Sequence, residues 1–118
     1  MSIFVVEDDP SLRTFIQRWL AQLTRQEVMT FATGTAAVEA LYTFAPTLLV
    51  SDLEMPGLSG EEVAEAAAQL SNPPRIVLMS GDHDRLRRAG SLAQATLAKP
   101  FTFRELRSSV PADLCLER

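Results

Sequence analysis

"IFVVEDDP", Ile3 to Pro10, is the stretch that decides how this chain folds. Its first four residues are all apolar, and three of them are β-branched. A short, fully apolar run of this kind marks a strand covered on both faces. It ends directly in three carboxylates, Glu7, Asp8 and Asp9, followed by a proline. Like charges this close repel each other, so their place at the end of a buried strand needs a reason. Asp9 has a local one. Aspartate before a helical pattern is a good N-cap, and proline suits the first helical position. Asp9 is therefore read as a cap, which leaves Glu7 and Asp8 at the strand end.

Working outward, strand and helix patterns alternate. "DPSLRTFIQRWLAQL" places Leu12, Phe15, Ile16, Trp19, Leu20 and Leu23 at helical spacing. "EVMTF" reads as a second strand. "TGTAAVEALYTFA" is a helix with Val38, Leu41, Tyr42 and Ala45 on one face, stopped by Pro46. "TLLVSD" is a third strand. "SGEEVAEAAAQL" is an Ala-rich helix with Val63, Ala66, Ala67 and Leu70 on its apolar face. "RIVLMS" is a fourth strand, "DHDRLRRAG" a short helix and "ATLA" a fifth strand. "TFRELRSSV" has Thr102 and Glu105 at capping-box spacing and Phe103, Leu106 and Val110 on one face. Alternation of this kind implies right-handed crossovers and a mainly parallel sheet, an α/β fold.

The composition is that of one domain: 118 residues, 47% hydrophobic, net charge −4. The acidic balance argues against direct nucleic-acid binding, which needs a basic face. One cysteine, Cys115, cannot build a disulfide framework and fits a reducing compartment. The apolar run at the start is too short for a secretory leader or a membrane span. A cytoplasmic, non-membrane domain is the expectation. "RLRR", Arg85 to Arg88, reads as a solvated face, or else as one that docks an acidic partner, and His83 as a solvated loop residue.

Parallel α/β sheets bind ligands outside the carboxyl ends of their strands, where strand order reverses. Glu7 and Asp8 follow strand one, Ser51 and Asp52 end strand three, Ser80 ends strand four and Lys99 follows strand five. All would meet at one rim. Three carboxylates there call for a cation, and a hard divalent ion such as Mg²⁺ takes such oxygen ligands together with waters and a phosphate. A metal, the Lys99 ammonium and the Ser80 hydroxyl around a carboxylate are the equipment of phosphoryl transfer. Asp52 would be the nucleophile and form an aspartyl phosphate.

"VVEDDP", "VSDLEMPGLSG", "IVLMSGD" and "AKPF" together resemble the response-regulator receiver domain of two-component signalling. The resemblance runs from Ile3 to about Val110 in order and spacing. It implies a five-stranded, flavodoxin-like (βα)5 fold with strand order 2-1-3-4-5 and helices on both faces. It matches Asp52 to the phosphoacceptor, Glu7 and Asp8 to the acidic pair, with Asp8 the direct Mg²⁺ ligand, and Glu54 to the position that gives the metal its backbone carbonyl. Ser80 matches the residue that contacts the phosphoryl group, and Lys99 the family's lysine, before a proline whose peptide bond is cis. Pro56 and Gly57 match the loop after the acceptor. The family often has an aromatic three residues before the lysine; Thr96 stands there.

The implied function is a phosphorylation-controlled signalling switch and not an enzyme with a substrate of its own. A histidine kinase or histidine phosphotransfer protein donates to Asp52, and a downstream protein target reads the result. Residues 1–110 would form the receiver domain, and 111–118 a short tail with no output domain. Two other readings stand beside this one. A Mg²⁺-dependent phosphohydrolase would also use an aspartyl phosphate, but such enzymes carry a second Asp two residues on, where this chain has Glu54. An unphosphorylated interaction module would not need the full acidic and lysine set.

Overall fold

A computed structural model describes residues 1–116. Its five strands are β1 (Ser2–Val6), β2 (Glu27–Phe31), β3 (Leu48–Asp52), β4 (Arg75–Ser80) and β5 (Ala95–Ala98). They form one parallel sheet in the order β2-β1-β3-β4-β5. Helices α1 (Pro10–Leu23), α2 (Gly34–Phe44), α3 (Gly60–Ala68), α4 (His83–Arg88) and α5 (Phe103–Ser109) connect or follow them. This is the flavodoxin-like (βα)5 arrangement that the sequence pattern and the resemblance imply.

The apolar runs of β1, β3 and β4 are continuous because these central strands are buried on both faces, whereas the edge strands β2 and β5 are partly exposed. Phe4, Val6, Leu49, Ile76 and Leu78 point to one side, against Leu41 of α2, Val63 of α3 and Leu86 of α4. Ile3, Val5, Leu48, Val50, Val77 and Met79 point to the other, against Ile16 and Leu20 of α1 and Leu106 of α5. Successive residues thus serve opposite cores, as the two-residue strand period requires. Asp9 caps α1 by accepting from the Ser11 amide at 2.9 Å, with Pro10 in the first turn. Ser59–Glu62 and Thr102–Glu105 close reciprocal capping boxes on α3 and α5.

Register sets the rim. Val6 pairs with Ser51, Asp52 with Met79, and Ser80 with Ala98. The next residues, Glu7 and Lys99, therefore flank Asp52 and Ser80 at the carboxyl edge. The chain reverses strand order between β1 and β3, so Glu7 and Asp52 lie at the switch point. The loop after Asp52 is held close to the sheet. Gly57 has φ +77°, and a Cβ on Gly60 would stand 2.1 Å from the Asp52 carbonyl oxygen. Only glycine fits that approach.

Three details differ from the sequence reading. The buried face of α2 is Gly34, Ala37 and Leu41, with Val38 at its margin; Tyr42 is 71% exposed and Ala45 lies past the helix end. Gly34 lies against the Leu58 backbone in the loop before α3, where a Cβ would not fit, and an apolar count overlooks such small residues. Phe15 is half exposed and stacks on Trp19, which meets the edge of Phe103. The expected tail is docked over its described part. The Leu116 amide donates to the Leu23 carbonyl at 2.7 Å, Arg75 pairs with Asp113, and Cys115 packs against the α1–α5 core. The rest of the tail, 117–118, lies outside the described residues.

Candidate functional site

Glu7, Asp8, Asp52, Ser80 and Lys99 meet at the rim, as expected. Glu7 is 1% and Asp52 3% exposed, whereas Asp8 is open to solvent. One carboxylate oxygen from each of these three acids lies within 4.8 Å of the others. The Lys99 ammonium is a fourth member. It donates to Glu7 Oε1 at 2.9 Å and to Asp52 Oδ2 at 3.0 Å. The cis Lys99–Pro100 bond that the resemblance implies is present. Glu7 also accepts from the Asp9 amide through Oε2 at 3.1 Å, so the cap and the acidic pair share one turn. Arg13, one turn into α1, donates to the Glu7 carbonyl at 2.9 Å and ties that turn to the helix.

The electrostatics follow from burial. Burial pushes the Glu7 carboxyl above its ordinary value, although the Lys99 and Asp9 hydrogen bonds pull the other way. Asp52 is likewise raised, first by burial and also by the charge of Glu54, with Lys99 opposing. Burial works against the Lys99 ammonium too, but its bonds to Glu7 and Asp52 outweigh that and hold its pKa above the ordinary lysine value. The site is short of positive charge. One buried group shows where: Asp52 Oδ1 has no hydrogen-bond partner among the described residues. An orphaned buried carboxylate oxygen beside two more carboxylates, in an all-oxygen donor set, fits a hard divalent cation.

Ser80 is fully buried at the end of β4. Its hydroxyl donates to Glu54 Oε2 at 2.7 Å and accepts from the Asp82 amide at 2.9 Å. The sequence reading gave Glu54 only a backbone role, and its side chain contact was not foreseen. Arg85 was read as solvated and is instead half-buried and paired. Its Nε and Nη2 fork onto Glu61 at 2.9 Å each, and Nη2 also reaches the Leu53 carbonyl at 3.2 Å. Arg87 and Arg88 are exposed, as read, with Arg87 bonded to Asp84. His83 is exposed at the start of α4, and Thr96 is exposed on β5. The Ser80–Glu54 and Glu61–Arg85 pairs span 26 and 24 residues, so no local spacing could have signalled them.

The family model described as the response regulator receiver domain matches residues 3–111. The chain belongs to this family, whose general function in two-component systems is a phosphorylation-controlled switch working with histidine kinases and downstream effectors. Among curated relatives it is 32% identical to the sensor histidine kinase TmoS of Ectopseudomonas mendocina over 113 residues, covering 92% of this chain and 11% of that protein. It is 30% identical to the DNA-binding transcriptional regulator NtrC of Escherichia coli (strain K12), covering 87% of this chain and 22% of that one. The chain thus spans a small part of these two relatives. Of solved structures, a response regulator receiver domain from Bermanella marisrubri superposes with a TM-score of 0.82 at 33% identity, covering 96% of both chains. The response regulator TrrA of Thermotoga maritima, solved in complex with Mg²⁺-BeF, gives 0.78 at 29% identity, covering 91% of this chain and 93% of that one.

Proposed function

We propose that this domain accepts one phosphoryl group on Asp52 from the phosphohistidine of a histidine kinase or phosphotransfer protein and changes a protein-binding surface in response. A carboxylate oxygen of Asp52 forms the new P–O bond as the P–N bond to the donor imidazole breaks, and the imidazole leaves. The observation that carries this reading is Asp52 itself. It is buried at the switch point, with Oδ2 on Lys99 and Oδ1 unpartnered among the described residues. Mg²⁺, held by the carboxylates of Glu7, Asp8 and Asp52 and the Glu54 carbonyl, would supply the positive charge the acidic cluster lacks.

Lys99 fixes the orientation of Asp52 and stays charged to meet the incoming oxygens. Arg13 and the Asp9 amide hold the turn that presents Glu7 and Asp8. Ser80 donates its hydroxyl to a phosphoryl oxygen once it leaves Glu54. Its movement biases β4, α4 and β5, the elements next to it, and a downstream protein reads the change. The domain's only chemistry is gain and loss of its own phosphoryl group. The phosphohistidine donor sets a cytoplasmic place of action, without direct contact to nucleic acid or membrane.

The test is intact-mass measurement after incubation with acetyl phosphate and Mg²⁺. Wild type gains one phosphoryl group, and loses that gain when EDTA is present from the start. An unchanged wild-type mass would overturn the proposal.

A further inference from the structure

The Ser80 hydroxyl has one proton, and Glu54 holds it. This is a choice. The buried Oδ1 of Asp52 lies at the same rim without a partner among the described residues, yet the hydroxyl serves a carboxylate on the loop after β3. Glu54 is in turn flanked by Arg85, whose Nη1 stands 3.8 Å from the same Oε2 that accepts from Ser80. Arg85 has little freedom to leave. The Glu61 fork fixes it to α3, and the Leu53 carbonyl fixes it to the loop carrying Glu54. Ser80, Glu54, Arg85 and Glu61 form one continuous chain from the end of β4 to α3 and α4.

We propose that Glu54 and Arg85 latch Ser80 in the unphosphorylated state, with Arg85 the positioning residue that keeps Glu54 where it captures the hydroxyl. The proposal rests on the assignment of Asp52 and Ser80 above. A single O–H cannot donate to Glu54 and to a phosphoryl oxygen at once. Engagement of Ser80 with a group on Asp52 therefore opens the latch and releases Glu54, while Arg85 stays on Glu61 and the Leu53 carbonyl. The competent arrangement is only partly populated at rest, and apparent affinity for a phosphoryl mimic is reduced by that fraction.

The experiment measures beryllofluoride binding with Mg²⁺, by ¹⁹F NMR titration, in wild type, Arg85→Gln, Glu54→Ala and Ser80→Ala. Arg85→Gln is expected to bind beryllofluoride about fivefold more tightly than wild type, and Glu54→Ala at least as much. The first result is discriminating in sign. Loss of a cation near an anion site weakens binding by charge alone. The effect of Arg85→Gln is expected to vanish in the Ser80→Ala and Glu54→Ala backgrounds, which a purely structural role for the Arg85–Glu61 fork would not produce. Unchanged or weaker binding by Arg85→Gln and Glu54→Ala, or the same change with Ser80→Ala, overturns the latch. A wild type that binds no beryllofluoride overturns the Asp52 reading and the latch with it.

Discussion

Lys99→Met tests how the buried charges hold together. Methionine is close to lysine in length and removes only the ammonium. In the wild type that ammonium donates at 2.9 Å to Glu7 and 3.0 Å to Asp52, whose side chains are 1% and 5% exposed. A hydrogen bond to a charged group contributes about 1.5–3 kcal/mol, so the lower figure taken twice is about 3 kcal/mol. The lysine side chain is 23% exposed, so water offsets part of this, and a carboxyl that binds a proton escapes more. The expected loss is about 2 kcal/mol near pH 7 without metal, or roughly 6–10 °C in Tm for a domain of this size.

The pH dependence has a definite sign. Glu7 and Asp52 already lie above their ordinary values because of burial, with Lys99 pulling them down. Removing Lys99 raises both further. A carboxyl whose folded pKa is raised costs nothing below its unfolded value, about 4, and costs progressively more as pH rises toward the folded value. The gap between variant and wild type is therefore smallest near pH 4 and widens toward pH 7. Thermal melts in EDTA across that range measure it. A gap that is absent at neutral pH, or constant with pH, would refute the claim that Lys99 neutralises two buried carboxylates.

Asp8→Asn should weaken Mg²⁺ binding more than Glu7→Gln, because Glu7 is already engaged by Lys99 and the Asp9 amide, while Asp9→Asn should change it little, since asparagine caps α1 as well; titration calorimetry ranks the three, and Asp9→Asn as the weakest binder would reverse the assignment. Gly60→Ala should destabilise the fold by about 2 kcal/mol or more, because its Cβ would meet the Asp52 carbonyl at 2.1 Å; denaturant melts test this, and a neutral variant would mean that the loop yields. The Arg85 hydrogen bond holds the Glu61 carboxyl below its ordinary value, so its contribution is present above the unfolded pKa and lost as pH falls through the folded one. Glu61→Gln should accordingly cost up to about 1 kcal/mol at neutral pH and nothing in acid, where the two proteins' melting curves should converge.

The strands were legible because each is a short apolar run bounded by polar or turn residues: "EVMTF", "RIVLMS" and "ATLA" coincide with β2, β4 and β5. Strand ends in a parallel sheet share a rim, so the meeting of Glu7, Asp8, Asp52 and Lys99 there followed from the same reading. What did not follow were contacts between side chains on elements far apart in sequence. The Ser80–Glu54 bond depends on how the loop after β3 lies against the end of β4, and the Glu61–Arg85 fork on how α3 lies beside α4, which no spacing encodes. The α2 face was misjudged for a related reason. Periodicity weights large apolar residues such as Tyr42, but the buried face of α2 is made of Gly34, Ala37 and Leu41, with Gly34 close against the Leu58 backbone. The docking of residues 111–116 rests on single long-range bonds, such as Leu116 to Leu23, with no pattern to announce them.

The central claim is that the acyl phosphate forms on one residue, Asp52. Borohydride reduces an acyl phosphate on aspartate to homoserine, so trapping the protein after treatment with acetyl phosphate and Mg²⁺ marks the acceptor, and peptide mass mapping locates it. Homoserine is expected at position 52 alone, and none in Asp52→Asn treated the same way. Homoserine at position 8 or 9 of the wild type, or labelling that persists undiminished in Asp52→Asn, would contradict it.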